Sequence, residues 1–140
     1  MKVGLIGFGK TGKAVASVAL EHSDICLEWV VRKSHKLEHR SVPEFFGVES
    51  NEPGLIYSSG EFSADELLDN FPVDAIIDFS SESGLTYYGE AAAQRGISIV
   101  SAISQVGDEY QQLLQSLSKK TRILWSPNIT VGVNFLMIAA

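Results

Sequence analysis

Residues Val3 to Gly12 read Val-Gly-Leu-Ile-Gly-Phe-Gly-Lys-Thr-Gly, an apolar run followed directly by a G-x-G-x-x-G turn. The run predicts a buried strand, and the apolar spacing after the turn predicts an amphipathic helix. In such a unit the first glycine permits a tight turn, the second lets backbone approach a pyrophosphate, and the third lets helix and strand pack closely. The alternative is a tight turn that binds nothing. We predict a dinucleotide-binding turn, with contacts at Gly7, Phe8, Gly9, Lys10, Thr11 and Gly12.

Length and composition narrow the class of protein. At 140 residues the chain is long enough for one domain with a core and too short for a typical two-domain dehydrogenase. A net charge of −6 without a basic stripe argues against nucleic acid as the main partner. The chain also lacks an apolar run of about 18 residues, the length that a membrane span needs. Cys26 is the single cysteine, which excludes a disulfide framework, so we expect a cytoplasmic protein.

Strand-like and helix-like segments alternate along the chain, a pattern typical of a parallel sheet with crossover helices. A capping box at Ser63 and Glu66 predicts one helix start, and Asp108 with Gln111 predicts another. The segment Ser34–Pro53 has no clear period and is expected to be a loop. We predict an α/β fold, a Rossmann-type doubly wound parallel sheet in three α/β/α layers. Its six strands are expected at Lys2–Ile6, Ile25–Val31, Gly54–Tyr57, Ala75–Phe79, Ile97–Val100 and Arg122–Trp125.

The residues after the second strand bear on the choice of cofactor. In a sheet of order 3-2-1-4-5-6, ligands bind outside the carboxyl ends of the strands, where the order reverses. An NAD site usually has Asp or Glu about twenty residues beyond the glycine turn, but this chain has Arg32 and Lys33 there. A guanidinium can hold a 2′-phosphate through two charge-assisted hydrogen bonds, which favours NADP, with NAD possible. The alternative is a solvated basic turn.

The loops after the last three predicted strands complete the candidate site. An Asp at a strand end often caps a loop, and the serines before the fourth helix can serve as N-caps, so structural roles stay open. No set of His, Cys, Asp and Glu has metal-ligand spacing, and no metal is predicted. The candidate cofactor-binding residues in these loops are Asp78, Phe79, Ser80, Ser101, Ala102, Ile103, Ser126, Pro127, Asn128 and Ile129.

Three stretches together resemble one family: the glycine turn, Ile-Asp-Phe-Ser at 77–80, and above all Pro-Asn-Ile-Thr-Val-Gly-Val-Asn at 127–134. They look like the N-terminal domain of dihydrodipicolinate reductase, also called 4-hydroxy-tetrahydrodipicolinate reductase. The resemblance implies a cytoplasmic oxidoreductase of the diaminopimelate route to lysine that uses NADPH or NADH. Thr130 stands where the family usually has Ser, and Ser-Ala-Ile-Ser at 101–104 replaces Gly-Thr-Thr-Gly.

The resemblance also predicts how the chain is organised. Residues 1–131 would form the NAD(P)-binding domain, and 132–140 would begin a helix leading to a second domain that is absent here. In the family that domain holds the catalytic His-His pair, so no catalytic residue is predicted in this chain. The apolar segment Phe135–Ile138 would favour a homo-oligomer. Two alternatives remain: another amino-acid dehydrogenase, of the homoserine or diaminopimelate type, and a free-standing NAD(P)-binding module that senses redox state without turnover.

Overall fold

The order of the strands fixes where a ligand can bind. A computed structural model describes residues 1–103 and 107–126, which form a six-stranded parallel sheet of order β3-β2-β1-β4-β5-β6. The predicted fold class and strand order are therefore confirmed. The strands are β1 (Lys2–Ile6), β2 (Cys26–Arg32), β3 (Leu55–Ser58), β4 (Ala75–Asp78), β5 (Ser98–Ser101) and β6 (Ile123–Trp125).

In the described part of the chain five helices accompany the sheet, and each side of the sheet has its own apolar core. One core contains Val15 and Val42, from α1 and α2, and the other contains Leu67, Leu85 and Leu117, from α3, α4 and α5. None of the described helices is long and apolar enough to cross a bilayer. The helices are α1 (Lys10–Glu21), α2 (Val42–Phe46), α3 (Ala64–Asn70), α4 (Glu82–Gln94) and α5 (Asp108–Ser118).

Close packing between β1 and β2 depends on a small residue in β1. The ring of Trp29 is 1% exposed, and a Cβ added to Gly4 would lie 2.3 Å from it. The indole N–H of Trp29 donates to the carbonyl of Phe71 at 2.9 Å, so its polar atom is satisfied in the core. Gly4 therefore makes room for the largest of the fully buried side chains among the described residues.

The ends of the predicted strands differ from the observed ones by at most one residue, and two other predictions differ further from the structure. The segment Ser34–Pro53 is not entirely a loop, because a short helix, α2, forms after the N-cap Ser41. The reciprocal cap predicted at Asp108 is wrong, since Gly107 is the N-cap of α5 and no side chain caps it. The capping box at Ser63 is confirmed.

Candidate functional site

A crevice of about 420 Å³ opens at the carboxyl end of the sheet, beside the turn that joins β1 to α1. This is the edge at which open parallel sheets bind ligands, because the chain leaves β1 and β4 in opposite directions there. Six of the residues predicted from the sequence line the crevice together: Gly7, Phe8, Gly9, Arg32, Lys33 and Ser80.

The three glycines of the turn have different physical reasons to lack a side chain. Gly7 has φ +100°, and a Cβ there would lie 3.1 Å from the backbone of Ser80. A Cβ on Gly12 would lie 2.4 Å from the carbonyl oxygen of Gly7. Gly9 has ordinary extended backbone, with φ −78°, and a Cβ there would meet no atom of the described residues within 4 Å. The fold therefore requires Gly7 and Gly12, whereas Gly9 leaves open space on the wall of the crevice.

Helix α1 begins at the same wall. Its N-cap is Gly9, and among the described residues no side chain accepts a hydrogen bond from the N–H groups of the first turn. The first N–H groups of a helix also lack intrahelical partners, and the helix dipole adds partial positive charge at this end. Lys10 and Thr11, both exposed, occupy this first turn. The turn can therefore accept an anion.

Positive side chains lie at the carboxyl end of β2. Arg32 is half-buried, with its guanidinium carbon 6.0 Å from the centre of the Phe8 ring, and Lys33 is exposed. The carbonyl of Arg32 accepts a 2.8 Å hydrogen bond from the N–H of Ser59. Among the described lining residues none is acidic. This part of the crevice is therefore suited to a second anionic group.

Asp78 lies beneath the crevice and does not line it. The residue is 0% exposed, and its carboxylate accepts hydrogen bonds from the N–H and hydroxyl of Ser80 at 2.9 and 2.6 Å. Its other oxygen accepts from the Tyr88 hydroxyl at 2.8 Å. Burial raises the pKa of Asp78, while these donors act in the opposite direction. Asp78 thus holds Ser80 in place, and Gly84 leaves room for the Ser80 hydroxyl.

Other predicted site residues lie away from the lining of the crevice. Ser101 is buried, and its hydroxyl bonds that of Tyr110 at 2.6 Å, while Ile103 is 8% exposed within the core. The N–H of Ser126 donates to the carbonyl of Ser101 at 2.9 Å. Phe79 and Ala102 are half-buried and pack on the core that contains Val15. Pro127, Asn128 and Ile129 lie outside the described residues.

The crevice also has lining residues that the sequence analysis missed: Ser34, Ser59, Ser81, Ser83 and Tyr87. Ser34 and Ser59 follow the ends of β2 and β3, so the rule of inspecting strand ends could have found them. Tyr87 lies in the second turn of α4, where nothing local distinguishes it. Its hydroxyl donates to the carbonyl of Phe62 at 2.8 Å, and burial raises its pKa to about 12.

The sequence matches one family of known proteins. Residues 1–129 match the family model described as "Dihydrodipicolinate reductase, N-terminus". The 4-hydroxy-tetrahydrodipicolinate reductases of Nitratidesulfovibrio vulgaris (strain DP4) and Lawsonia intracellularis (strain PHE/MN1-00) are each 26% identical over 129 residues. Each match covers 92% of this chain and 45% of the relative. The chain therefore spans about half the length of these relatives.

Solved structures share the fold. A dipicolinate-bound dihydrodipicolinate reductase from Paenisporosarcina sp. TG-14 has a TM-score of 0.63 at 16% identity, covering 91% of this chain and 47% of that one. A hyperthermophilic archaeal homoserine dehydrogenase in complex with NADPH has a TM-score of 0.55 at 23% identity, covering 89% and 43%. At these identities the likeness extends to the fold alone.

Proposed function

This chain belongs to the dihydrodipicolinate reductase family, and we propose that it is the part of such a reductase that binds the nicotinamide dinucleotide. The observation that carries the proposal is the open space at Gly9 on a crevice wall where the uncapped start of α1 also lies. A pyrophosphate needs both features, because it must approach backbone closely and accept hydrogen bonds from N–H groups. Of the families that share a glycine turn, the match over residues 1–129 favours this one over the homoserine and diaminopimelate dehydrogenases.

Different residues of the crevice lining would contact different groups of the dinucleotide. Gly7, Gly9 and the first turn of α1 would hold the pyrophosphate, and Ser80 would supply a hydroxyl and backbone beside it. Phe8 is 2% exposed and packs against the core containing Val15, which fixes the turn between the two glycines. A turn fixed before binding loses little conformational freedom on binding, so more of the interaction energy is retained.

We propose that the preferred cofactor is NADP(H) rather than NAD(H). Arg32 and Lys33 lie where an NAD site usually has an acid, and the crevice lining has no acid among the described residues. A guanidinium would attract a 2′-phosphate and gain nothing comparable from a 2′-hydroxyl. One hydrogen bond to a charged group contributes roughly 1.5–3 kcal/mol, so NADPH should bind about tenfold to a hundredfold more tightly than NADH.

The bound nicotinamide would supply a hydride, and a reductase then needs a group that supplies a proton to the substrate. Of the hydroxyl groups on the described residues that line the crevice, the phenol of Tyr87 is the most acidic. Its pKa of about 12 and its hydrogen bond to the carbonyl of Phe62 nevertheless suit it poorly as a proton donor near neutral pH. We therefore propose that the proton donor and the substrate-binding residues belong to the portion of the reductase that this chain does not match. On this proposal the isolated chain binds NADPH and reduces no dihydrodipicolinate.

Isothermal titration calorimetry with NADPH and NADH tests the proposal. The original chain should bind NADPH more tightly, and Arg32→Asp should remove or invert the preference. Arg122→Asp makes the same change of charge at an exposed site that precedes β6, at the opposite end of the sheet, and should leave both affinities unchanged. Equal or tighter binding of NADH by the original chain would refute the NADP assignment. Failure to bind either dinucleotide would refute the proposed function.

We also propose self-association, as the apolar stretch Phe135–Ile138 suggests, although that stretch lies outside the described residues. Sedimentation at about tens of micromolar should then give a dimer or a larger assembly. A monomer throughout that range would contradict this part of the proposal.

A further inference from the structure

Four side chains with nitrogen and oxygen donors meet outside the crevice, on the loop after β2 and the turn after β3. The ligand atoms of Glu38, His39 and Glu61 all lie within 4.8 Å of one another. Nε2 of His39 contacts Oε1 of Glu61 directly and lies 3.7 Å from Oε1 of Glu38. The second oxygen of Glu38 accepts a 2.7 Å hydrogen bond from Nδ1 of His35. We call these four residues the His–Glu cluster.

The backbone holds the His–Glu cluster together. The N–H of His39 donates to the carbonyl of Ile56 at 2.7 Å, and the N–H of Ile56 donates to the carbonyl of Arg40 at 2.9 Å. Because β3 is the outermost strand on this side of the sheet, the loop runs along an otherwise free edge. The N–H of Glu61 donates to the carbonyl of Ser58 at 3.1 Å, which fixes the turn after the same strand.

Side-chain packing restricts the donors further. The imidazole of His39 lies edge-on to the ring of Tyr57, with centroids 6.0 Å apart. The side chains of Glu38 and Glu61 are only 24% and 23% exposed, although His39 is 60% exposed. The two carboxylates are thus largely covered, while the nitrogen donor remains accessible from solvent.

The donor atoms of the His–Glu cluster converge on a small volume. One oxygen of Glu38 accepts the hydrogen bond from His35, and the other lies 3.7 Å from Nε2 of His39. Two carboxylates then converge on one imidazole nitrogen, which carries at most a single proton. Oxygen atoms of both carboxylates and Nε2 of His39 lie within 4.8 Å of one another, so one divalent ion placed among them could bind all three.

We propose that Glu38, His39 and Glu61 form a binding site for a divalent transition-metal ion, with zinc as the best match. Imidazole nitrogen with carboxylate oxygen suits zinc, whereas magnesium and calcium prefer oxygen ligands alone. Three protein ligands leave a position for water. His35 is a positioning residue, since its bond to one oxygen of Glu38 leaves the other oxygen beside His39, and hydrogen bonds of this kind orient the ligands of a metal ion.

The ion would join two segments that flank the crevice. His35 directly follows Ser34, and Glu61 comes two residues after Ser59, and both serines line the crevice. The sequence shows no motif for this site, because His39 and Glu61 are 22 positions apart in the chain. A metal ion that binds only the folded chain should raise its midpoint of thermal unfolding.

The site is tested by titrating the full chain, untagged and treated with a chelator, with zinc chloride. Calorimetry measures the affinity and the number of zinc ions bound per chain. We expect one zinc ion per chain and a higher midpoint of thermal unfolding. Cobalt chloride should give the visible absorption bands of a four-coordinate site, and magnesium chloride should give no binding. His39→Gln and Glu61→Gln should each weaken zinc binding by more than about tenfold, and His35→Gln should weaken it about tenfold through Glu38.

The third histidine of the chain provides a matched control. His22 follows α1 and lies at the amino end of the sheet, away from the His–Glu cluster. His22→Gln should therefore bind zinc as the original chain does. The proposal is overturned if the original chain binds no zinc, or if both His39→Gln and Glu61→Gln, shown to be folded by circular dichroism, bind it with unchanged affinity. Neither result would bear on NADPH binding in the crevice, which is measured separately.

Discussion

Replacing Gly9 with valine separates cofactor binding from folding. A Cβ at Gly9 would meet no atom within 4 Å, and the residue has φ −78° and ψ −162°, extended backbone that valine adopts readily. Reduced freedom of the unfolded chain should stabilise the variant by about 0.4–1 kcal/mol. Loss of glycine from the N-cap of α1 should cost a similar amount. The free energy of unfolding should therefore change by less than about 1 kcal/mol.

The effect on binding should be much larger. Gly9 lies on the wall of the crevice beside the start of α1, so the isopropyl group would occupy the space that a pyrophosphate needs. Loss of two charge-assisted hydrogen bonds from backbone N–H groups would cost roughly 3–6 kcal/mol. NADPH should then bind more than about a hundredfold more weakly.

Calorimetric titration with NADPH and urea unfolding, both on the same preparation, measure the two effects. Gly107→Val is the matched control, because Gly107 is also an uncapped helix N-cap with extended backbone and lies outside the crevice lining. Its unfolding free energy should change as that of Gly9→Val does, while NADPH affinity stays the same. NADPH binding by Gly9→Val within about twofold of the original would refute the assignment of the glycine turn to the site.

Three further substitutions test the structure around the crevice. Gly12→Ala places a Cβ 2.4 Å from the carbonyl oxygen of Gly7, so urea unfolding should show a loss of about 1–3 kcal/mol, and an unchanged stability would contradict the packing described. Tyr88→Phe removes a donor from buried Asp78 and should cost about 1–3 kcal/mol at neutral pH. Because the Tyr88 hydroxyl donates to the carboxylate and so stabilises its charged form, this loss should shrink as pH falls through the raised pKa of Asp78; a loss independent of pH would argue against the interaction. Ser63→Ala breaks the capping box of α3 and should cost about 0.5–2 kcal/mol in thermal or urea unfolding, whereas exposed Ser116→Ala should cost less; equal effects would argue against the cap.

The sequence predicts those features that depend on local chemistry. The glycine turn, the six strands and their order follow from apolar periodicity, from glycine spacing and from the rules of parallel crossover connections. The capping box at Ser63 is likewise local, because its two reciprocal hydrogen bonds lie within four residues. Each of these patterns has a physical cause that acts over a short stretch of chain.

Features that depend on tertiary contacts were missed or misassigned. Asp78 ends an apolar strand, as a ligand-binding acid would, but its carboxylate is buried and accepts hydrogen bonds from Ser80 and Tyr88 instead. Tyr87 lies at the crevice because α4 packs beside α3. The carbonyl of Phe62, just before α3, accepts a hydrogen bond from the Tyr87 hydroxyl. The His–Glu cluster forms only when the loop after β2 lies along the edge of β3.

The most direct test of a dinucleotide-binding crevice is a titration of 15N-labelled chain with NADPH, followed by amide chemical shifts. The largest changes should occur at Gly7, Gly9, Arg32 and Ser80, and in the first turn of α1. Amides at the amino end of the sheet, such as that of Ser98, should not move. An absence of shift changes at saturating NADPH, or changes concentrated at the amino end, would contradict the assignment of this crevice as the cofactor site.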